Sequence, residues 1–190
     1  MWQNAAGLIK KGATYMTIVV ISDTHIPGKA KSLPQILYNE IEKCDHIIHA
    51  GDVNDIALIN ELEIFDPVTV VAGNTDGYQI TDKHGFKTIV ELSGKRIGVV
   101  HGNGPRATFE NVRRAFSKDN VDCVVYGHSH IPHCEFLDGI LYFNPGSPTD
   151  KRLNKYYTYG LIKISEGEFY PEMIYFNKNG IVKRVKVQEE

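Results

Sequence analysis

Short apolar runs alternate with helix-like segments over the first half of the chain. Residues 16–22, MTIVVIS, form a continuous apolar run rich in β-branched side chains, typical of a strand buried on both faces. Apolar residues at helical spacing follow in residues 31–44, with Ser32 as a candidate N-cap. A second strand, a second helix capped by Asn54 or Asp55, and a third strand come next. This order predicts right-handed crossovers and a parallel core sheet.

The second half of the chain is dominated by strand patterns. Residues 86–102 predict two strands around a tight turn, and residues 106–120 predict a helix. A further buried strand, two hairpins and a last strand at residues 181–188 complete the pattern. We find no repeat and no linker. The sequence therefore predicts one α/β domain over residues 16–190, with two sheets packed face to face and helices outside.

Charge and hydropathy argue against several classes of protein. Residues 1–15 lack the apolar segment of a signal peptide, and we interpret them as a peripheral tail. The formal net charge is -2 without a long basic block, which argues against a nucleic-acid-binding module. No apolar run reaches membrane-spanning length, so no membrane partner is expected. Exposed aromatic strands near the C-terminus make a homodimer plausible.

The three cysteines favour a reducing cytoplasm. Cys44, Cys123 and Cys134 are odd in number and form no C-x-x-C pair, so a disulfide framework is not expected. We interpret them as core thiols and not as metal ligands.

Polar side chains with metal-binding chemistry follow five of the predicted strands. In parallel α/β sheets the carboxyl ends of the strands line the crevice where ligands bind, so these side chains are expected to converge. The predicted ligands are Asp23, His25, Asp52, Asn74, His101, His128 and His130.

The ligand types indicate which ions this site binds. Imidazole, carboxylate and amide oxygen without thiolate suit Mn, Fe, Co, Ni or Zn, whereas a lone Mg or Ca site would use oxygen only. Seven ligands exceed the needs of one tetrahedral ion and fit two ions that share a bridging carboxylate. Two divalent cations carry more positive charge than the two aspartates carry negative charge. The remaining positive charge would attract an anionic substrate.

The remaining histidines receive structural interpretations. His46 and His49 flank two isoleucines in a strand and are expected to be buried or hydrogen-bonded. His84 is expected in a loop, and His133 is expected at the surface.

The ordered motifs D-x-H, G-D, G-N-x-D, H-G and G-H-x-H resemble those of the calcineurin-like metallophosphoesterase superfamily. The short length and the segments AGDVND, GNTD and FNPGSPTD look like its small bacterial and archaeal phosphodiesterase branch. The resemblance covers about residues 16–176. It implies a four-layer αββα sandwich of two mixed β-sheets, and phosphodiester hydrolysis with Mn or Ni bound.

The resemblance also implies a division of the ligands between two ions. One ion would be held by Asp23, His25, Asp52 and His130. The second ion would be held by Asp52, Asn74, His101 and His128. Catalytic roles accordingly fall to Asp52, Asn74, Thr75 and His101, in a mechanism where a bridging hydroxide attacks phosphorus.

One position departs from the family pattern. Many members have histidine after the Asn of the third motif, where this chain has Thr75. A threonine hydroxyl can donate a hydrogen bond to a phosphoryl oxygen but is a poor general acid, so esters with high-pKa leaving groups are expected to react slowly. Asp76 is expected to orient a neighbour through hydrogen bonds.

Loops near the predicted site supply substrate-binding candidates. We assign substrate contact to Thr75, Asn103 and Ser147, and the cations of NPGSPTDKR, Lys151 and Arg152, lie in the same loop as Ser147. The predicted substrate is a small phosphodiester.

Three alternatives remain open at this stage. The chain could be a non-catalytic interaction scaffold on the same fold, although it keeps all seven ligands. It could be a phosphomonoesterase, which would usually carry the missing histidine. It could also be a single-metal hydrolase or a non-haem iron oxygenase.

Overall fold

The computed structural model describes residues 15–188. The predicted tail, residues 1–15, lies outside the described residues except for Tyr15, which begins the first strand. The described helices are α1 (Gln35–Ile41), α2 (Ile56–Phe65), α3 (Tyr78–His84) and α4 (Thr108–Ala115). The described strands are β1 (Tyr15–Ile21), β2 (His46–His49), β3 (Val68–Val70), β4 (Lys87–Leu92), β5 (Lys95–Val100), β6 (Cys123–Val125), β7 (His133–Leu137), β8 (Ile140–Asn144), β9 (Tyr157–Ser165), β10 (Glu168–Asn177) and β11 (Gly180–Lys186).

The strands form two mixed sheets. The larger sheet has the order β11-β10-β9-β1-β2-β3, in which β1, β2 and β3 run parallel. The smaller sheet has the order β4-β5-β6-β8-β7, in which β5, β6 and β8 run parallel. The predicted fold, two mixed sheets with flanking helices, is confirmed.

Three apolar clusters separate the four layers. Along β1, Ile18 and Val20 pack between the sheets, whereas Val19 and Ile21 pack with residues of α1 and α2. The third cluster joins α4, through residues such as Val112, to the outer face of the smaller sheet. This alternation explains why β1 is apolar at every position from Ile18 to Ile21, since both faces of the strand are buried there.

Two local predictions were wrong. Helix α1 is shorter than the predicted helix at residues 31–44, because its N-cap is Pro34 in an extended conformation and not Ser32. His84 is not in a loop but ends α3, a helix that the apolar pattern did not reveal. Only Ile80 of that helix is buried, so its apolar face is too small to give a periodic signal.

Other local predictions agree with the structure. Asp55 caps α2, where its Oδ1 accepts a hydrogen bond from the Ala57 N–H at 2.9 Å. All three cysteines are free, and Cys44 and Cys123 are buried. Within the described residues, no helix combines the length and the apolar character that crossing a bilayer requires.

The loops that follow the central strands are tied to one another by backbone hydrogen bonds. The N–H of Asp23 donates to Gly51 O, and that of His25 donates to Asp52 O, both at 3.0 Å. In the smaller sheet, the N–H of Gly127 donates to His101 O at 3.0 Å. The predicted ligands therefore leave their strands at neighbouring points.

Candidate metal centre

Five of the predicted ligands converge in two overlapping groups. Asp23, His25 and His130 place one ligand atom each within 4.8 Å of the others, and so do Asp23, Asp52 and His101. All five side chains are buried. Because Asp23 belongs to both groups, the two form one continuous centre.

The other two predicted ligands lie at the edge of this centre. The half-buried ring of His128 lies 5.2 Å from the ring of His101, centroid to centroid, in an edge-to-face arrangement. Asn74 is exposed in the turn after β3 and makes no hydrogen bond with a described residue. The structure thus brings His128 into the cluster and leaves Asn74 at its rim.

Asp23 uses its two oxygens differently. Its Oδ2 accepts hydrogen bonds from the Ser22 hydroxyl at 2.8 Å and from the His128 N–H at 3.0 Å. Its Oδ1 also accepts from the His128 N–H, at 3.2 Å, and lies 3.3 Å from His130 Nε2 and 4.0 Å from His101 Nε2. The His128 N–H therefore holds both oxygens, and Oδ1 in addition faces two imidazoles.

Asp52 repeats this arrangement. Its Oδ1 accepts a hydrogen bond from the Thr75 N–H at 2.9 Å. Its Oδ2 lies 3.3 Å from His101 Nε2 and 3.6 Å from His25 Nε2. Asp52 therefore sits between one histidine of each group, as a bridging carboxylate would.

The histidines are oriented for metal binding. His101 Nδ1 donates to Ala50 O at 2.8 Å, and His130 Nδ1 donates to Asp150 O at 2.6 Å. These bonds leave each Nε2 with a lone pair directed at the aspartates. His101 Nε2 is buried without a hydrogen-bond partner among the described residues, which is costly unless it binds another group. Imidazole with carboxylate is the ligand set of divalent transition metals, so the residues fit such an ion.

Burial and neighbouring charges shift the pKa values of the cluster. Burial raises the pKa of Asp23 to about 7. Burial also raises the pKa of Asp52, but the neighbouring His101 and the hydrogen bond from the Thr75 N–H outweigh it, and the net shift is downward. The pKa of His101 shifts in the opposite direction, because Asp52 and Asp23 raise it by more than burial lowers it. Burial lowers the pKa of His130 to about 4.

The backbone of the ligand loops adopts an unfavourable conformation. Five of the seven predicted ligands have positive φ angles, a region that non-glycine residues seldom occupy and that concentrates at functional sites. The angles are 55° at Asp23, 46° at His25, 57° at Asp52, 69° at His128 and 58° at His130.

The end of β8 and the loop after it hold the first and last ligand loops together. Buried Asn144 donates to Gly127 O at 2.8 Å, and buried Ser147 donates to Asp23 O at 2.8 Å. Thr149 donates to Thr24 O at 2.6 Å. Sequence reasoning missed Asn144 and Thr149, since the NPG segment signals a turn but not what the turn touches.

The structure places the three predicted substrate contacts in different settings. Thr75 and Asn103 are exposed, in the loops that carry Asn74 and His101, whereas Ser147 is buried. Besides donating to Asp23 O, the Ser147 hydroxyl accepts the N–H groups of Thr149 and Asp150. This geometry favours a supporting role for Ser147, and its contact with substrate stays a prediction.

Two further residues brace the ligand loops from behind. Asp76 accepts the backbone N–H groups of Asp52, Asn54 and Gly73 at 2.7–3.0 Å, in agreement with its expected orienting role. Buried His49 accepts the Gly51 N–H at its Nδ1 and therefore donates from Nε2 to the Thr24 hydroxyl at 2.9 Å.

The chain is similar to known phosphoesterases. The family model "Calcineurin-like phosphoesterase superfamily domain" matches residues 16–167. A "Probable metallophosphoesterase" of Methanothermobacter thermautotrophicus is 35% identical over 143 residues, which cover 73% of this chain and 80% of that protein. A phosphodiesterase of Methanocaldococcus jannaschii is 28% identical over 145 residues, covering 69% of this chain and 83% of its own.

The fold also resembles solved structures of another protein, Vps29. A single mutant of Vps29 from Entamoeba histolytica superposes with a TM-score of 0.77 at 21% identity, covering 91% of this chain and 100% of that chain. The wild-type form of that protein has been solved in complex with Zn²⁺. At this identity the likeness concerns the fold alone.

We expect Ser147→Ala to weaken divalent metal binding about tenfold, because it unpairs the Asp23 carbonyl and two backbone amides beside the centre. Calorimetric Mn²⁺ titration measures the effect. Ser117→Ala, which removes an exposed hydroxyl bonded to Arg114 O, serves as the matched control. Equal affinities in both variants would contradict the supporting role of Ser147.

We expect metal affinity to rise between pH 6 and pH 8 by about tenfold or more per pH unit. In the metal-free protein Asp23 has a pKa of about 7 and the pKa of His101 is raised, so both lose protons when they bind metal. His130, with a pKa of about 4, is already neutral in this range. Titrations at several pH values measure the slope, and a flat profile would refute the assignment.

Proposed function

The chain belongs to the calcineurin-like phosphoesterase superfamily, and from that premise we propose that it hydrolyses phosphodiester bonds with two divalent metal ions, Mn or Ni. The observation that carries the proposal is the position of Asp23 and Asp52 between histidines of both ligand groups. The name of the phosphodiesterase relative supports a diester as the substrate.

Each ion would be held by residues from several loops. Asp23, His25, Asp52 and His130 would hold the first ion, and Asp52, Asn74, His101 and His128 the second. Such ions supply Lewis-acid polarisation of a phosphoryl oxygen and a nucleophilic water at neutral pH. The chain contributes orientation: Nδ1 bonds fix the rings of His101 and His130, and the Thr75 N–H fixes Asp52.

The residue beside the leaving group would be Thr75. Its hydroxyl donates to Asn54 Oδ1 at 2.7 Å and lies 3.5 Å from His25 Nδ1. An ordinary hydroxyl engaged in this way is a poor proton donor. Hydrolysis by this chain therefore depends on leaving groups that depart as stable anions, such as aryl oxides.

Metal-dependent turnover of a bis-aryl phosphate tests the function. With Mn²⁺ supplied, we expect two ions per chain and faster hydrolysis of the diester than of an aryl monoester. We expect Asp52→Asn combined with His128→Ala to lower kcat/KM by about 10³-fold, or ~4 kcal/mol of transition-state stabilisation. Asp138→Asn with His133→Ala, on the hairpin of β7 and β8, is the matched control.

Each of the other possible results of these experiments would favour a different function. Turnover that is the same in the wild type and the Asp52/His128 variant would favour a non-catalytic scaffold. Faster monoester hydrolysis would favour a phosphomonoesterase. A single tightly bound iron would favour a one-metal enzyme.

Leaving-group dependence tests the role of Thr75. We expect the rate to fall steeply from nitrophenyl to alkyl diesters, and Thr75→His to raise alkyl-ester turnover about 10- to 100-fold by adding a general acid. Thr75→Ser keeps the hydroxyl and should leave the profile unchanged. A shallow dependence in the wild type would show that another group protonates the leaving oxygen.

A further inference from the structure

Four cations lie in or beside the loop that follows β8, and three of them have partners. Lys151 Nζ donates to Asn154 O at 2.9 Å, and Lys155 Nζ lies 5.2 Å from the ring centre of Tyr156. Lys29, from the loop after β1, reaches Asp150 at 3.7 Å. The fourth, Arg152, is exposed, and its guanidinium pairs with no residue in the described part of the chain. Arg152 is therefore the cation left available to a ligand.

The loop that carries Arg152 is fixed to His130 on both sides. His130 Nδ1 donates to Asp150 O at 2.6 Å, and Asn154 Nδ2 donates to His130 O at 2.9 Å. Arg152 lies midway between these anchors, where its N–H donates to Asp150 Oδ1 at 3.3 Å and its φ is 46°. Its Cα is thereby held beside a metal-ligand candidate.

Arg152 is also open to solvent beside the centre. His130, to which the loop is bonded on both sides, is buried, whereas Arg152 is exposed. Its side chain is therefore accessible to a substrate that reaches the centre from solvent.

We propose that Arg152 binds the phosphoryl group of the substrate, donating from its planar guanidinium to two non-bridging oxygens of a phosphodiester anion. The inference rests on the proposed function and specifies how its substrate is held. A diester spreads one negative charge over two non-bridging oxygens, and the guanidinium fork matches that geometry. An ammonium group is a point charge and lacks the paired donors.

Inorganic phosphate is the probe that separates this role from catalysis. We expect Arg152→Ala to weaken phosphate binding to the Mn²⁺-loaded protein about 10- to 100-fold, as loss of hydrogen bonds to a charged group does. Arg152→Lys should recover only part of the affinity. Arg114→Ala, which removes an exposed arginine on α4, should change nothing. Calorimetry measures all four proteins.

Measurements of Mn²⁺ affinity and of kinetics test whether Arg152 binds the substrate or only supports the structure of the centre. Mn²⁺ affinity should be unchanged or slightly tighter in Arg152→Ala, since a nearby positive charge is removed. The diester KM should rise while kcat changes less. Weaker Mn²⁺ binding by this variant would overturn the inference, because it would place Arg152 among the supports of the centre.

The remaining outcomes distinguish this inference from the proposed function. If wild type and Arg152→Ala bind phosphate equally and hydrolyse diesters with equal KM, the inference fails and the function stands. Full recovery by Arg152→Lys would refute paired donation. If phosphate binding depends on Arg152 but the wild type hydrolyses no ester, the function fails and the anion site stands.

Discussion

Two aspartates enclosed at the meeting point of five loops impose the main physical constraint on this protein. Carboxylates lose water when buried, which is why the pKa of Asp23 is raised to about 7, and they require positive charge nearby to stay ionised. His101 supplies part of that compensation and also presents a buried Nε2 without a partner. Divalent cations satisfy both demands at once, so the electrostatics of the cluster and its ligand chemistry lead to the same conclusion.

The surrounding structure is organised to hold these groups in place. Positive φ angles at ligands such as Asp23 and His130 are costly, and they persist because the neighbouring backbone groups are bonded across loops. Asp76 links two ligand loops, whereas Asn144 and Ser147 tie the last and the first ligand loop to the end of β8 and the loop that follows it. The sheets provide rigid strand ends, while polar residues behind the ligands determine the spacing between them.

The fold of this protein does not by itself determine its chemistry. The likeness to Vps29 shows that the same sandwich serves other proteins, so the function must be argued from the site. Here the site combines a buried cluster of candidate metal ligands with an exposed Thr75 after the third strand and with Arg152 exposed in the loop bonded to His130. Those two residues shape what we propose for the substrate: an anion with a leaving group that needs little protonation.

The sequence by itself determined the layered fold and predicted most of the polar residues that gather at one edge of the sheets. The apolar run of β1 and the polar residues after it are local patterns, and parallel strands must bring their carboxyl ends to one edge. Only the tertiary structure determined which of these residues are exposed and which residues hydrogen-bond to one another. It exposed Asn74, buried Ser147 against the Asp23 carbonyl and left Arg152 unpaired among the described residues. It also contains α3, whose single buried residue gives no periodic signal. Local pattern fixes which face of an element is buried, but a hydrogen bond between residues 124 positions apart depends on the packing of the whole chain.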